Sequence, residues 1–291
     1  MRLDGRRKSD NVEDSRGMSG VAKAGIGGIG GLILIAIMTF MQGGDLGDVV
    51  NNVAQNAMQG QVEEQPQGQN FSEEEQKLAD FSKVILAGTE DVWTEQFKKN
   101  GRKYEYPILK LYTGAVNTAC GQGSAQMGPF YCSGDQKLYI DLSFFTTMRK
   151  QLGLQAKGDL DFAYAYVIAH EVGHHVEYLR GTLQKCHSRM SQLSKKDANA
   201  LSVKLELLAD YYAGCWAHYD NEKYQSLSDG DIEEAIDCAE KIGDNYLQEK
   251  ARGYSQPETF THGTSKQRMY WFKKGLDTGD WNTTTFEEGD L

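Results

Sequence analysis

Residues 162–175 read FAYAYVIAHEVGHH, and this stretch decides both the fold and the chemistry of the chain. The apolar run over residues 162–168 predicts a buried helix that carries H-E-x-x-H at its far end. Positions four apart share one helix face, with Cβ atoms roughly 5–6 Å apart. His170 and His174 can therefore aim two imidazoles at a single Zn²⁺, while Glu171 projects beside them. That glutamate is placed to take a proton from a zinc-activated water rather than to ligate the metal. Val172 and Gly173 are uncharged, as a helix packed beneath a metal requires. A core helix with incidental histidines is the bland alternative. It would bury two imidazoles and a carboxylate without a partner, at considerable cost, and the whole chain holds only six histidines.

A catalytic zinc takes three protein ligands and leaves one open position. The extended pattern H-E-x-x-H-x-x-G-x-x-H fails here, because its glycine is Glu177 and its last histidine is Arg180. The third ligand is therefore sought downstream, in Glu206-Leu207-Leu208-Ala209-Asp210. Glu206 and Asp210 are four apart on a segment that is apolar nearly all round, where a carboxylate pair needs a cation. Glu206 suits the ligand role, and Asp210 suits acceptance of a ligand histidine's N–H, which fixes its tautomer. His218 lies about 18 Å further along the same helix and cannot share the ion. His187 falls in a polar stretch and reads as exposed; His175 reads as a packing residue on another face. His262, in Thr261-His262-Gly263-Thr264, either donates to the oxyanion of a hydrolytic intermediate or caps the last helix. Tyr254 is an outside candidate for the oxyanion role.

The N-terminal region sets expectations about location. Residues 24–41 (AGIGGIGGLILIAIMTFM) form an uncharged run of about 18 residues, long enough to cross the hydrocarbon core as one helix. No persuasive cleavage site follows it, so a retained anchor is expected. Arg2, Arg6, Arg7, Lys8, Arg16 and Lys23 precede the run, and the next basic residue is Lys77. The positive-inside rule then puts residues 1–23 in the cytoplasm as a basic head and the rest outside the membrane, periplasmic or extracellular. Gly25, Gly27 and Gly30 match a dinucleotide fingerprint only by accident, because no strand precedes them. Gly27 and Gly31 form G-x-x-x-G, a pattern for homodimerisation through the span. Residues 42–70 are rich in glutamine, asparagine, glycine and acid and read as a flexible linker. The net charge of −10, with no basic stripe, excludes nucleic acid as the main partner.

The folded domain is expected over residues 71–291, opening with Ser72 as the N-cap of a helix that runs to about residue 99. Strands are predicted over 107–112 and 137–142, with a glycine-marked loop over 113–135 between them. Helices are predicted over 143–152, 161–180, 197–219, 231–250 and 265–274, with Gly181 ending the second. The class is α+β, mostly helical with a small sheet. Of five cysteines, Cys120 and Cys132 are expected to form a disulfide across the glycine-rich loop. Cys186, Cys215 and Cys238 would supply one further pair and one free thiol.

With these residues identified, the chain resembles the bacterial putative neutral zinc metallopeptidase family nearly end to end. The resemblance is carried by the basic head and glycine-rich span, and by Cys120-Gly121 through Gly128-Pro129-Phe130-Tyr131-Cys132. It continues in His170-Glu171-Val172-Gly173-His174-His175-Val176, Glu206-Leu207-Leu208-Ala209-Asp210, and His262-Gly263-Thr264-Ser265 to Gln267-Arg268. More distantly the chain is similar to thermolysin-type zincins, whose third ligand is glutamate. The similarity implies a zincin-like domain with His170, His174 and Glu206 as ligands of one Zn²⁺, Glu171 as base, and Asp210 orienting His170. It also implies that the strand over 137–142 is the sheet edge along which a peptide pairs. The expected function is a membrane-anchored zinc endopeptidase acting on a peptide or protein outside the cytoplasmic membrane. The alternative is a non-catalytic envelope binding or assembly protein with structural zinc, which has no need of Glu171 as a base.

Overall fold

The first residues of the chain are already part of the sheet. This computed structural model describes residues 1–17, 71–151 and 161–282. Its strands are β1 (Val12–Asp14), β2 (Ile108–Tyr112), β3 (Ala115–Thr118), β4 (Gly121–Ser124), β5 (Phe130–Cys132) and β6 (Lys137–Asp141). Its helices are α1 (Glu73–Lys99), α2 (Ser143–Gln151), α3 (Asp161–Arg180), α4 (Thr182–Met190), α5 (Lys195–Tyr224), α6 (Asp231–Lys241), α7 (Asp244–Arg252) and α8 (Ser265–Thr278). The balance is α+β and mostly helical.

The main sheet runs β1-β2-β6-β5, with the first three strands parallel and β5 antiparallel at the edge. Alternation within β2 and β6 turns Leu109, Leu111, Leu138 and Ile140, all fully buried, to the helical core. Strands β3 and β4 form a separate antiparallel hairpin. The Cys120–Cys132 disulfide ties this hairpin to β5, as the spacing suggested.

Helix α3 is the centre of the molecule. Residues 162–169 are all buried, and along its length α3 is packed by α1, α4, α5 and α6. The absence of a polar face follows from that enclosure. Gly173 sets the distance to α5: a Cβ there would stand 2.8 Å from the Ala209 carbonyl oxygen. Only glycine lets these two helices approach so closely, and this brings Glu206 to the motif histidines. Gly181, in the left-handed region at φ 77°, ends α3, and α4 starts at once.

Several expectations are corrected. Residues 1–17 do not stand apart as a head: β1 pairs with β2, and Arg16 packs on Phe71 with its guanidinium carbon 4.0 Å from the ring centroid. The folded unit therefore includes residues before Phe71. Polar spacing and charge concealed a three-residue edge strand. The supposed loop over 113–135 holds three strands, each too short and too glycine-rich to show alternation. The helix expected over 231–250 is two, α6 and α7, broken at Gly243. Cys186, Cys215 and Cys238 are all free and buried, so no second disulfide forms. The anchor over 24–41, its G-x-x-x-G pattern and the linker over 42–70 lie outside the described residues. Among the described residues no helix is long and apolar enough to cross a membrane.

Candidate active site

Helix α3 presents His170, Glu171 and His174 to a cleft of about 300 Å³, and α5 brings Glu206 to its other wall. His170 Nε2 lies 3.2 Å from one Glu206 carboxylate oxygen, and His174 Nε2 lies 3.6 Å from the other. All three ligand atoms fall within 4.8 Å of one another. Ligands at about 2.0–2.1 Å on a tetrahedral zinc stand roughly 3.3 Å apart, so these separations fit a single Zn²⁺.

The outer nitrogens of both histidines are held. His170 donates from Nδ1 to Asp210 at 2.7 Å, which turns Nε2 toward the cleft. Asp210 is fully buried, and it also accepts from the Tyr166 hydroxyl at 2.5 Å and twice from Arg268, at 2.8 and 2.9 Å. His174 donates from Nδ1 to Glu177 at 3.0 Å. Glu177 is fully buried, and its other oxygen has no hydrogen-bond partner. Sequence reading passed over Glu177 as the residue that spoiled a longer zinc motif. Its i+3 spacing from His174 was the available signal. Arg268 was missed as well, having been quoted only as part of a family pattern.

Charge in the cleft follows from burial and these pairings. Burial opposes the imidazolium forms, but Asp210 outweighs it and raises His170 to about 10; Glu177 and Glu206 raise His174 to about 8. Burial also opposes the Glu206 carboxylate, yet His262 and the motif histidines hold it well below the usual range. A negative field that favours imidazolium equally favours a divalent cation. Burial raises the Glu171 carboxyl above its ordinary range.

His262 lines the same cleft. Its Nδ1 lies 3.2 Å from Asp244 Oδ1, and Asp244 Oδ2 accepts the backbone N–H groups of Thr261, His262 and Gly263 at 2.8, 2.7 and 3.0 Å. One carboxylate thus fixes both the loop and the ring. Burial works against the charged ring, but Glu206 and Asp244 raise its pKa, so it can donate from Nε2. Capping of α8 falls instead to Thr264, whose hydroxyl accepts from the Gln267 N–H.

The remaining histidines lie where the sequence put them, with one gain. His187 is exposed at the cleft rim, and His218 gives its Nδ1 to the Leu276 carbonyl at 2.8 Å. His175 is fully buried; it donates from Nε2 to the Glu105 carbonyl at 2.7 Å and accepts from the Tyr131 hydroxyl at 2.9 Å. It therefore fastens β5 to the metal-motif helix. Tyr254 is more than half exposed and does not line the cleft. The expected peptide edge is also corrected. β6 lies inside the sheet, and β5 is the edge strand that brings Phe130 and Tyr131 to the cleft.

The profile of the family described as putative neutral zinc metallopeptidase matches residues 1–286. The chain belongs to this family. The chain is similar to the Escherichia coli K12 protein named "Uncharacterized protein YpfJ", 45% identical over 287 residues that cover 96% of each chain. It is also similar to "Uncharacterized protein Rv2575" of Mycobacterium tuberculosis, 40% identical over 198 residues, or 65% of each chain. No solved structure matches the chain.

Proposed function

We propose that this family member is a zinc-dependent endopeptidase with a zincin-like domain. The observation that carries the reading is convergence of His170 Nε2, His174 Nε2 and Glu206 on one point, with Glu171 in the same cleft. One Zn²⁺ held there would polarise a scissile carbonyl and lower the pKa of a water. Glu171 accepts the proton of that water and delivers it to the leaving amine. His262, oriented by Asp244, donates from Nε2 to the oxygen that becomes negative in the tetrahedral intermediate. A peptide adds to the free edge of β5, with Phe130 and Tyr131 against it. His175 holds that edge at a fixed distance from the metal helix.

The substrate is a peptide or protein in extended form, since a strand edge recognises backbone. Membrane attachment through residues 24–41 belongs to this reading, supported by the length and apolarity of that run. So does placement of the domain in an oxidising compartment, supported by the Cys120–Cys132 disulfide. Homodimerisation through Gly27 and Gly31 is proposed on the sequence pattern.

The test is cleavage of a proteome-derived peptide library by the zinc-loaded full chain, read by mass spectrometry, against Glu171→Gln. The variant should hold one zinc per chain and cleave nothing. Retained cleavage would refute the assignment of Glu171. A zinc-loaded wild type that cleaves no peptide would favour the assembly protein with structural zinc.

A further inference from the structure

The domain carries a built receptor for its own N-terminal segment. Arg6 makes a two-pronged ion pair with Asp220 at 2.9 and 2.5 Å, and Asp220 is fully buried. The Arg6 guanidinium also stacks on Tyr224 at 4.2 Å, and a Cβ at Gly88 would collide with it. Ser9 and Asn11 donate to Glu90, which is 1% exposed, and Arg7 reaches Glu90 and Asp91 at 2.9 and 2.6 Å. Glu13 receives Lys110 and Lys137 at 3.1 and 2.7 Å, beside the β1–β2 ladder. Removal of the segment would leave Asp220 and Glu90 without the groups that compensate them, which a domain built to fold alone would not tolerate well.

The chain leaves and re-enters this fold at one place. Arg16 lies on Phe71 and 3.6 Å from Glu75, so the described residues that bracket 18–70 lie side by side. One crossing by residues 24–41 would put residue 42 across about 30 Å of hydrocarbon. Residues 42–70 hold no second apolar run that could return. A head held in the cytoplasm with the domain outside is therefore incompatible with the docked segment. The basic residues that argued for a cytoplasmic head have another use. Four of the six, Arg6, Arg7, Lys8 and Arg16, are ion-paired to acids: Asp220, Glu90 with Asp91, Asp80, and Asp14 with Glu75.

We infer that residues 1–17 are a docked part of the domain and lie in the same compartment as the active site. This revises the orientation that the positive-inside rule suggested, and it holds whatever reaction the cleft performs.

Two measurements on the full chain in sealed cells test it. Asp10 and Lys103 are exposed, and the three native thiols are buried, so single Asp10→Cys and Lys103→Cys variants report cleanly to a membrane-impermeant maleimide. Both should label, or both should stay protected until lysis. Glu13 and Lys110 are direct partners across β1 and β2, so the Glu13→Cys/Lys110→Cys pair should cross-link in the same cells on addition of a mild oxidant. Labelling of one site from outside and of the other only after lysis would overturn the inference. Failure of the neighbouring pair to cross-link would overturn it as well.

Discussion

Replacing Gly173 by alanine tests how the sequence assembles the site. A Cβ at this position would lie 2.8, 3.0 and 3.2 Å from the carbonyl oxygen, Cα and carbonyl carbon of Ala209, where ordinary contact begins at 3.4 Å. These are backbone atoms, so no rotamer change relieves the clash, and α3 and α5 must separate by about 0.6 Å. Overpacking of this kind costs roughly 1–3 kcal/mol, which a domain of ordinary stability of about 5–15 kcal/mol survives. The consequence for the metal is larger. Glu206 lies one turn before Ala209 on α5, so it moves with that helix while His170 and His174 stay on α3. Zinc tolerates ligand displacements of only about 0.2 Å. Gly173→Ala should therefore fold, melt several degrees lower and bind zinc at least about tenfold more weakly. Competition with a chromophoric chelator measures the affinity, and a thermal melt confirms folding. A folded variant with wild-type zinc affinity would refute the claim that this close approach positions Glu206.

Three further outcomes follow from individual contacts. Glu177→Gln keeps the shape but weakens the acceptor on His174, and zinc affinity should fall about 10–100-fold with little change in melting temperature; unchanged affinity in the chelator assay would remove Glu177 as a positioning residue. Burial pushes His175 down to about 4 from an unfolded value of 6.5. Its neutral form is the one the fold accepts, so its contribution is complete above pH 6.5 and is lost as pH falls from 6.5 toward 4, by up to about 3 kcal/mol. Urea unfolding at pH 7 and pH 4.5 should show that loss in the wild type and a smaller one in His175→Gln; equal losses would remove His175 as the cause. His262→Ala should lower kcat/KM about 10²–10³-fold with zinc content intact, as measured on any peptide the wild type cleaves.

The helix of the H-E-x-x-H motif was legible because enclosure by other helices demands the unbroken apolar run that precedes His170. Glu206 and Asp210 stood out for a related reason, as charges in an apolar helix, and the structure sets Glu206 beside both motif histidines and Asp210 against His170 and Arg268. The edge strand was not. β5 has three residues, and what holds it is the Cys120–Cys132 bond and the His175–Tyr131 hydrogen bond, both long-range. β1 was hidden more thoroughly, since its segment is charged and its partners Glu90 and Asp220 lie far along the chain. Charge there signalled topology to a reader of sequence, whereas in the fold it is consumed by ion pairs. Arg268 and Glu177 escaped notice because their meaning depends on burial, which spacing alone does not give.

X-ray absorption on the zinc-loaded full chain, with metal stoichiometry measured on the same sample, tests the central claim most directly. One zinc per chain with two imidazole nitrogens, one carboxylate and a solvent oxygen is the expected result, with loss of one imidazole in His174→Ala. A closed shell of four protein ligands, or a zinc that is retained unchanged when Glu206 is replaced by alanine, would contradict it.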